Sequence, residues 1–386
     1  MAEASDKSPV GEVEVSLDRT DWRDVSPPVQ SIEIEDHDQL TDKATIVLDD
    51  HTGALAGAGF EGLFVRLTLG WQAQPAAIFE GEITSARVLA QPEGQKIELT
   101  ALDFTYRMSR QPYVPTEWAV GERLSEVLKR IATRADYHIA VKRPEDIQPT
   151  DDAPLTAQNA RRPADGLNEW QFILREADRQ GCRTFVEYDG KVSAFYFVPV
   201  DRLATAEPEG NLRYCRGIGE LIEFDYERIS SGATPTLATS TTDPATGASV
   251  ELPATPPAPP PPLPPPDTDR NVTPRQRSAI EALTELSAAA TARLKPPEGK
   301  VTGEAADAAG VAVRVRPDPL RRLGQRGRGV AVGNVQLRAK SRVLITGVAP
   351  WAEGEWYLAK VNHVYTRERV NNRFRPSYFT KFTATR

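Results

Sequence analysis

Residues 354–370 read GEWYLAKVNHVYTRERV and contain His363, one of only four histidines in the chain. Aromatic and apolar residues recur at every second position, which predicts a β-strand with one face made of Tyr357, Ala359, Val361, His363 and Tyr365. A catalytic histidine needs a nucleophile or an orienting carboxylate within hydrogen-bond reach, and this stretch offers neither at a suitable spacing. We therefore predict that His363 is a structural side chain packed in a sheet, rather than a catalytic base or a metal ligand.

The composition predicts a protein with several apolar cores and no membrane-spanning helix. The 386 residues suggest about two or three domains. Apolar residues make up 40% of the chain, and no stretch approaches the about 20 apolar residues of a transmembrane helix. The N-terminal MAEASDKSPVGEVEV lacks an apolar signal core, so no secretory signal is expected. Cys182 and Cys215 form neither a disulfide framework nor a zinc pair, which fits synthesis in a reducing compartment and leaves a single bond between them open.

The first part of the chain, residues 1–107, is dominated by short alternating segments. GEVEVSL places Val13, Val15 and Leu17 on one face, and SIEIED and KATIVLDD repeat the pattern. Two later segments, AIFEGEITSARVLA and QKIELTALDFTYRM, flank the turn sequence PEGQ and predict a hairpin. Several short strands at this spacing predict a small antiparallel barrel or sandwich.

Residues 108–202 combine helices and strands. GERLSEVLKRIATRA predicts an amphipathic helix with an apolar face of Leu124, Val127, Leu128 and Ile131. LNEWQFILREADRQG repeats this pattern and ends at Gly181, a residue typical of helix C-termini. The two alternating runs in CRTFVEYDGKVSAFYFV meet at Asp-Gly, the strongest short signal of a hairpin. This segment is predicted to be a compact α+β domain.

Strands return in residues 203–230 and 331–386, which we predict to form one all-β domain with an insertion at residues 231–330. The insertion begins with a Ser- and Thr-rich linker and continues with PATPPAPPPPLPPP, in which ten of fourteen residues are proline. Polyproline II geometry would make this run a stiff rod of about 43 Å. A helix over residues 274–294 follows, with Thr273 as its N-cap. We predict that the rod spans the outside of the subunit and that the helix docks on a neighbouring surface.

Charge is distributed unevenly along the chain. Residues 1–106 carry 20 acidic and 7 basic side chains, whereas residues 301–386 carry 6 acidic and 16 basic ones. One interpretation is that solvated faces simply differ in charge. Another is that the two ends meet, either within one chain or between subunits. Binding of nucleic acid by the basic end is a third interpretation, but the sequence lacks a suitable motif or interleaved aromatic residues.

Three motifs resemble ligand sites but are predicted to be turns. GAGFEG matches the dinucleotide-binding pattern GxGxxG, yet an alternating strand follows where such a site needs a helix. EDHD at residues 35–38 and DDHTG at residues 49–53 follow apparent strands, where Asp, His and Gly are common turn residues. Neither has the spacing of a calcium loop. We expect solvated turns here, and we predict no metal, cofactor or catalytic residue.

The sequence QLRAKSRVLITGVAPWAEGEWYLAKVNHVYTRE, followed by the final strand SYFTKFTATR, resembles the C-terminus of the phage late control protein D family. Members of that family are baseplate hub proteins of contractile tails. The strands of residues 1–107 look like the first barrel of the family, and residues 108–202 look like its second domain. The resemblance covers the chain except for the insertion, and it rests on an ordered set of elements rather than on one diagnostic motif.

The resemblance implies a trimeric structural protein and no enzyme. Each subunit would contribute two barrels related to the tail-tube fold, so three chains would form a pseudo-sixfold ring. That ring would join the sixfold tail tube to the threefold spike around an axial channel. The implied fold class is mainly β (α+β), with two tube-like antiparallel barrels, a small α+β domain between them and the insertion in the second barrel.

The resemblance also implies partners and a location. The partners would be two further copies of the chain in a homotrimer, the tail tube or its initiator, the spike protein and the baseplate wedge proteins. Genomic DNA would pass through the channel without specific binding. The protein would be part of the virion, assembled in the host bacterial cytoplasm, with no cofactor and no insertion into a membrane.

In such a ring, acidic first barrels and basic second barrels would alternate, and unlike charges would favour the correct order. The basic residues expected at these contacts are Arg338, Lys340, Arg342 and Lys360, and the acidic residues expected to face them are Glu33, Glu35, Asp49 and Asp50.

Two other functions stay open. One is the same part in a phage-derived bacteriocin or extracellular injection machine. The other is a tail-associated cell-wall hydrolase, which would need a pair of catalytic carboxylates. The acidic residues Glu176 and Asp178 do not favour the hydrolase, because they lie on the polar face of an ordinary amphipathic helix.

Overall fold

The computed structural model describes residues 8–92, 94–110, 119–156, 168–215, 218–228, 236–242, 249–252, 273–293, 298–302, 320, 325–370 and 373–386. The first elements are β1 (Pro9–Ser16), β2 (Arg23–Asp24), β3 (Val29–His37), β4 (Lys43–Asp49), β5 (Phe64–Trp71), β6 (Gln74–Gln91), β7 (Gly94–Leu102), α1 (Thr105–Arg110), α2 (Leu124–Ala132), α3 (Glu169–Gln180), β8 (Cys182–Tyr188), β9 (Ser193–Pro199) and α4 (Val200–Thr205). The remaining elements are β10 (Gly210–Arg213), β11 (Leu221–Arg228), β12 (Thr236–Thr242), β13 (Ser249–Leu252), α5 (Pro274–Arg293), β14 (Glu298–Thr302), β15 (Gln325–Val332), β16 (Arg342–Thr346), β17 (Gly354–Val370) and β18 (Arg373–Thr385).

Among the described residues, thirteen strands form one large sheet. Eleven of them follow the order β11-β15-β18-β17-β3-β4-β7-β6-β5-β1-β2, and β16 and β10 add to the free part of the β17 edge. Nearly all neighbours pair antiparallel, and β10 and β16 pair in parallel. Every second residue of β4, and of β3 from Ile32 onwards, is buried, because alternate side chains of a strand point to opposite faces. The predicted fold class, mainly β with an α+β part, is confirmed.

Strand β17 belongs to both halves of this sheet. One of its edges pairs with β18 over most of its length. The other edge pairs first with β16, between Gly354 and Tyr357, and then with β3, between Lys360 and Thr366. A bulge at Ala359 interrupts the β17–β18 register at the point where the partner on the other edge changes. This strand therefore joins the N-terminal strands to the C-terminal strands.

Three large apolar clusters fill the described part of the chain. The first lies among β1 and β3 to β7, and it also takes in Tyr365 and Tyr378 of the β17–β18 hairpin. The second lies among β10, β11 and β15 to β18 and contains Trp356 and Phe382. The third belongs mainly to the α+β part. Because the hairpin contributes to the first core as well as the second, the two sets of strands are not independent, and the predicted domain boundaries stay a prediction.

The α+β part forms as its sequence predicts. The apolar face of α2 is buried. Helix α3 begins after Asn168, whose side-chain oxygen accepts the backbone N–H of Gln171, and it ends at Gly181 with a left-handed φ of 62°. The residue after that cap, Cys182, is buried and free, and Cys215 is exposed and free, so no disulfide joins them.

The insertion differs from its prediction. The segment predicted as a linker contains β12 and β13, and β14 lies parallel to β12 in a separate three-stranded sheet. Threonine is β-branched and favours extended backbone, which explains how a Thr-rich segment forms strands. Helix α5 begins as predicted, with the Thr273 hydroxyl accepting the N–H of Gln276 at 3.3 Å. No helix among the described residues is long and apolar enough to cross a membrane. The proline run lies outside the described residues.

Strand β15 begins at Gln325, earlier than the predicted return of strands at residue 331. The sequence pattern does not predict the start of β15, because two glycines without side chains interrupt the alternation of residues there. They are required by packing, since a Cβ at Gly327 would lie 2.7 Å from the Phe224 ring and one at Gly329 would lie 2.1 Å from the Phe382 ring.

We predict that Gly329→Ala destabilises the protein by about 1–3 kcal/mol, because the new methyl group overpacks the second core. Urea unfolding followed by tryptophan fluorescence measures the change. Gly59→Ala is the control, since a Cβ at Gly59 meets nothing within 4 Å. Equal stability of the two variants would contradict the packing argument.

Candidate functional site

A buried cluster of charged side chains lies where β17 changes partner. Its centre is Lys340, in the loop before β16, whose side chain is 3% exposed. The ammonium nitrogen lies 2.5 Å from Asp36 of β3, 3.0 Å from Glu187 of β8 and 3.6 Å from Asp42 of the β3–β4 loop. One lysine thus contacts an N-terminal strand, an N-terminal loop and the α+β part.

Arg338 supplies the second positive charge of the cluster. Its Nε donates to Asp36 at 3.1 Å, and its terminal nitrogens contact Glu187 and donate to the Ile78 carbonyl at 2.9 Å. The backbone N–H of Ala339 donates to the same Asp36 carboxylate at 3.0 Å. The Asp36 carboxylate therefore contacts a lysine, an arginine and a backbone amide, all from the loop before β16.

Two further carboxyl groups, Asp42 and Asp103, hold the neighbouring backbone. Asp103 accepts the N–H of Asp42 at 3.0 Å, and it also accepts the N–H and the hydroxyl of Thr105 at 2.8 and 2.5 Å. Asp42 accepts the backbone N–H of His37 at 2.9 Å. These bonds fix the β3–β4 loop and the start of α1 against the cluster.

Strand β8 presents one face to its own core and the other to the cluster. Its buried residues are Cys182, Thr184, Val186 and Tyr188. On the other face, Arg183 lies 3.8 Å from Asp38, and the Lys340 ammonium lies 4.9 Å from the centre of the Phe185 ring. Glu187 completes this face through its contacts with the lysine and Arg338. The α+β part therefore meets this side of the sheet through ionic and cation–π contacts.

Burial and charge act in opposite directions on these groups. Burial raises the pKa of Asp42 well above its ordinary value, and it raises the pKa of Asp103 to about 6. Burial would also raise the pKa of Asp36, but the nearby Lys340 and Arg338 hold it below its ordinary value. Burial opposes the charged form of Lys340, yet the surrounding carboxylates raise its pKa. The lysine is therefore charged at neutral pH.

Backbone hydrogen bonds between the loop before β16 and the bulge in β17 fix the position of Lys340. Lys340 has a left-handed φ of 68°, and its N–H donates to the Leu358 carbonyl at 2.8 Å. The Leu358 N–H donates to the Ser341 carbonyl at 2.9 Å, and the Asp38 N–H donates to the Ala359 carbonyl at 3.1 Å. The loop before β16 and the end of β3 are thus both hydrogen-bonded to the irregular part of one strand.

The prediction of a solvated turn at EDHD is wrong for Asp36 and Asp38, which are 1% and 4% exposed. Their burial could have been predicted from the sequence, since both lie an even number of residues after Ile32 and Ile34, which are on the buried face of β3. Their partners could not have been predicted, because Arg338, which binds Asp36, is 302 residues away in the chain. Among the described residues, no group of His, Cys, Asp and Glu side chains could hold a metal ion. Lys340 and Arg338 supply the positive charge that these carboxylates require.

The structure brings together some of the acidic and basic residues expected between the two sets of strands. Lys360 of β17 lies 2.5 Å from Glu35 of β3. Glu33 accepts a hydrogen bond from Asn362 at 3.0 Å instead of meeting a basic residue. The basic residues Arg338 and Lys340 meet Asp36, which was not among the expected acids.

The other expected residues lie elsewhere. Arg342 pairs with Glu355 of the adjacent strand β17, because cross-strand neighbours in a hairpin are the nearest partners available. Asp50 accepts the N–H groups of Leu55 and Ala56 at 2.9 Å and so closes the turn after β4. Asp49 is exposed at the end of that strand. All of these contacts lie within a single chain.

His363 lies on the inner face of β17, between Val361 and Tyr365, and is 1% exposed. Its Nδ1 lies 2.8 Å from the Tyr378 hydroxyl. Burial, with a further contribution from the charge of Arg338, lowers the pKa of His363 to about 3. The imidazole is therefore neutral at physiological pH and lies at the boundary between the two apolar cores.

Solved structures of tail proteins share the overall fold of this chain. The tail protein from Neisseria meningitidis MC58 matches with a TM-score of 0.62 at 11% identity, over 98% of this chain and 97% of the other. The 43 kDa tail protein of prophage MuSo2 from Shewanella oneidensis matches with the same TM-score and identity over 98% of both chains. A Francisella PdpA–VgrG complex matches with a TM-score of 0.52 at 7% identity, over 97% of this chain and 58% of the other.

The chain has a tail-protein fold. At these identities the likeness concerns the fold alone. The sequence itself matches no protein-family model and none of the curated proteins. Within this fold, the charged cluster lies where the N-terminal strands, the α+β part and the C-terminal strands meet.

We predict that Lys340→Met destabilises the protein by about 3–5 kcal/mol, because it leaves buried carboxylates without their cation. Urea unfolding at neutral pH measures the loss. Lys381→Met is the matched control, since Lys381 is exposed on β18, and surface substitutions usually change stability by at most about 0.5 kcal/mol. Similar midpoints for the two variants would show that the cluster contributes little.

We predict that His363→Gln costs about 1–3 kcal/mol at neutral pH and removes part of the acid sensitivity. The unfolded state takes up a proton near the ordinary pKa of 6.5, whereas the folded state does so only near 3. Wild-type stability should therefore fall by about 1.4 kcal/mol per pH unit through this site as the pH drops between those values.

Unfolding curves at several pH values compare the wild type with His363→Gln and with His51→Gln, which alters an exposed histidine. The difference between His363→Gln and the wild type should shrink as the pH falls, and His51→Gln should follow the wild type. A constant difference across the acid range would contradict the buried, neutral imidazole.

Proposed function

We propose that this chain is a structural hub protein of a phage tail baseplate. The observation that supports the proposal best is the likeness to tail proteins over 98% of the chain, which includes both sets of strands and the α+β part. Strand β17 joins the two sets of strands into one sheet. Such a unit suits a protein that transmits force rather than one that turns over a substrate.

The proposed assembly is a homotrimer. Three chains would contribute two sets of strands each and form a pseudo-sixfold ring around an axial channel. The ring would join the sixfold tail tube to the threefold spike, with baseplate wedge proteins outside it and genomic DNA passing through without specific binding. The protein would be assembled in the host bacterial cytoplasm and would remain in the virion. An adaptor of this kind needs a fixed angle between its two sets of strands, which the cluster around Lys340 would provide.

The proposal includes no catalysis. The buried ionisable groups at the junction form ion pairs with one another, through the contacts of Lys340 and Arg338 with Asp36 and Glu187. His363 is held neutral by burial and packs against Tyr378. A zymogram on bacterial cell wall tests the alternative of a wall hydrolase, and a cleared band from the purified chain would contradict the structural role.

A second candidate is the same part in a phage-derived bacteriocin or another injection machine. The observation in its favour is the match to the Francisella PdpA–VgrG complex over 97% of this chain. The two candidates differ in what surrounds the protein. Electron microscopy of particles released from the producing cell distinguishes a tail attached to a DNA-filled head from a headless machine.

We predict that the protein occurs as three copies in its assembly. Light scattering coupled to gel filtration should give three times the monomer mass for the purified chain or, if assembly needs its partners, the monomer mass. A baseplate map resolves the second case and should show a threefold ring. Six or twelve copies in that map would contradict the hub.

A further inference from the structure

The outer face of the C-terminal strands carries an apolar strip that crosses four neighbouring strands. Phe379 of β18 is 40% exposed and lies directly opposite Val332 of β15, which is 39% exposed, and opposite the half-buried Val364 of β17. At the β11 end of this row, Ile222 lies in the bulge of that strand and is 40% exposed. Directly opposite side chains of antiparallel strands share one face of a sheet. These four residues therefore form one strip, which the described part of the chain leaves open to solvent.

Helix α5 carries an apolar face that is exposed as well. Ile280, Leu283 and Leu286 recur at every third residue, so they lie on one side of the helix. Leu283 and Leu286 are 66% and 65% exposed. Exposed apolar surfaces of this kind mark contacts with other proteins. Because the helix face and the strip are both open within one chain, each is available to another copy.

We propose that α5 of one copy docks on the apolar strip of the next copy in the assembly. The docking rests on the homotrimer proposed above. The helix and the strip are different surfaces of the same chain, so the contact between copies is head-to-tail. Contacts of this kind form a closed ring when the rotation between copies closes. In a trimer, each copy offers one helix and receives one.

The two surfaces have matching dimensions. Ile280 and Leu286 are separated by about 9 Å along the helix axis, at a rise of about 1.5 Å per residue. Val332 and Val364 lie on either side of Phe379 and are separated by about 10 Å, since adjacent strands lie about 4.8 Å apart. A helix that crosses the strands therefore places Leu283 on the phenylalanine and its two apolar neighbours on the two valines.

Charge determines the direction of the docked helix. Glu223 is exposed next to Ile222 at the β11 end of the strip, and the residue opposite it in the sheet is the apolar Val330. Near the start of α5, Arg275 and Arg277 are exposed as well. The N-terminal end of a helix also carries a partial positive charge. The docked helix therefore begins over β11 and continues towards β17.

The connections of the insertion are long enough for this contact. Residues 229–235 join the edge strand β11 to β12 and span at most about 25 Å when extended. Residues 253–272, which precede the N-cap of α5, span at most about 70 Å. The insertion leaves the main sheet at its outermost strand, and its length permits α5 to reach an adjacent copy.

The test is disulfide crosslinking between copies of the full-length chain. Two differently tagged forms are produced in the same cell, one with Leu283→Cys and the other with Phe379→Cys, so a disulfide between these positions joins two chains. Both forms carry Cys215→Ser, because Cys215 is exposed, whereas Cys182 is buried. The purified protein and the particles released from the cell are oxidised mildly. We expect a band of two chains that contains both tags and is lost on reduction.

Glu285→Cys, in place of Leu283→Cys, is the matched control. Two residues along a helix correspond to a rotation of about 200°, so Glu285 lies on the far side of α5 and its cysteine should give no such band. A second pair, Ile280→Cys with Val332→Cys, should crosslink as the first pair does. This pair keeps the test independent of how well Phe379→Cys folds.

Light scattering on the same samples gives the number of copies, so the docking and the hub can fail separately. If neither pair crosslinks beyond the control, the docking is refuted, and a trimer would still support the hub. Crosslinks in an assembly of a different copy number would support the docking and contradict the hub. Shielding of Phe379→Cys from maleimide in the particles without any crosslink would show that a different protein covers the strip, which also overturns the docking.

Discussion

The contact on which this architecture depends is a lysine ammonium buried among carboxylates. Removing such ions from water costs several kcal/mol each, and this cost is offset only where the geometry is close and the remaining hydrogen bonds are made. The Lys340 ammonium lies 2.5 Å from Asp36 and 3.0 Å from Glu187, and Arg338 and the Ala339 N–H also bind Asp36. A buried ion pair adds little net stability compared with an apolar contact, but only one arrangement of the surrounding segments satisfies it. We therefore regard the cluster as the feature that specifies how the parts of the chain meet.

Strand β17 makes that arrangement possible. It exchanges β16 for β3 along a single edge, and the hydrogen bonds of the bulge around Ala359 orient both the Lys340 loop and the end of β3. The same strand sends Val361 into one core and Tyr365 into the other. Because packing and ionic contacts converge on one element, the two sets of strands cannot rotate independently. A hub that joins a tube to a spike would need this rigidity.

The ion pairs of the structure explain part of the uneven charge distribution along the sequence. Lys360 with Glu35, and Lys340 and Arg338 with Asp36, join the basic end of the chain to its acidic end within one molecule. Intramolecular pairing was one of the interpretations that the sequence left open. Burial lowers the pKa of His363 and raises that of Asp42 at the same junction, because it opposes the charged form of each side chain.

The sequence by itself determined the mainly β fold class, the amphipathic faces of α2 and α3 and the buried placement of His363, because these follow from local periodicity. It also contained the two-residue alternation that places Asp36 on the buried face of β3, although the residues at the end of that strand are typical of turns. Only the tertiary structure decided that β17 is shared, that Gly327 and Gly329 belong to a strand, and that Lys340 lies among three carboxylates. Those features depend on contacts between residues that are distant in the chain, such as Lys340 and Glu187, 153 positions apart, and Ala339 and Asp36, 303 positions apart. Neither hydrophobic periodicity nor residue preference contains information on partners at such separations.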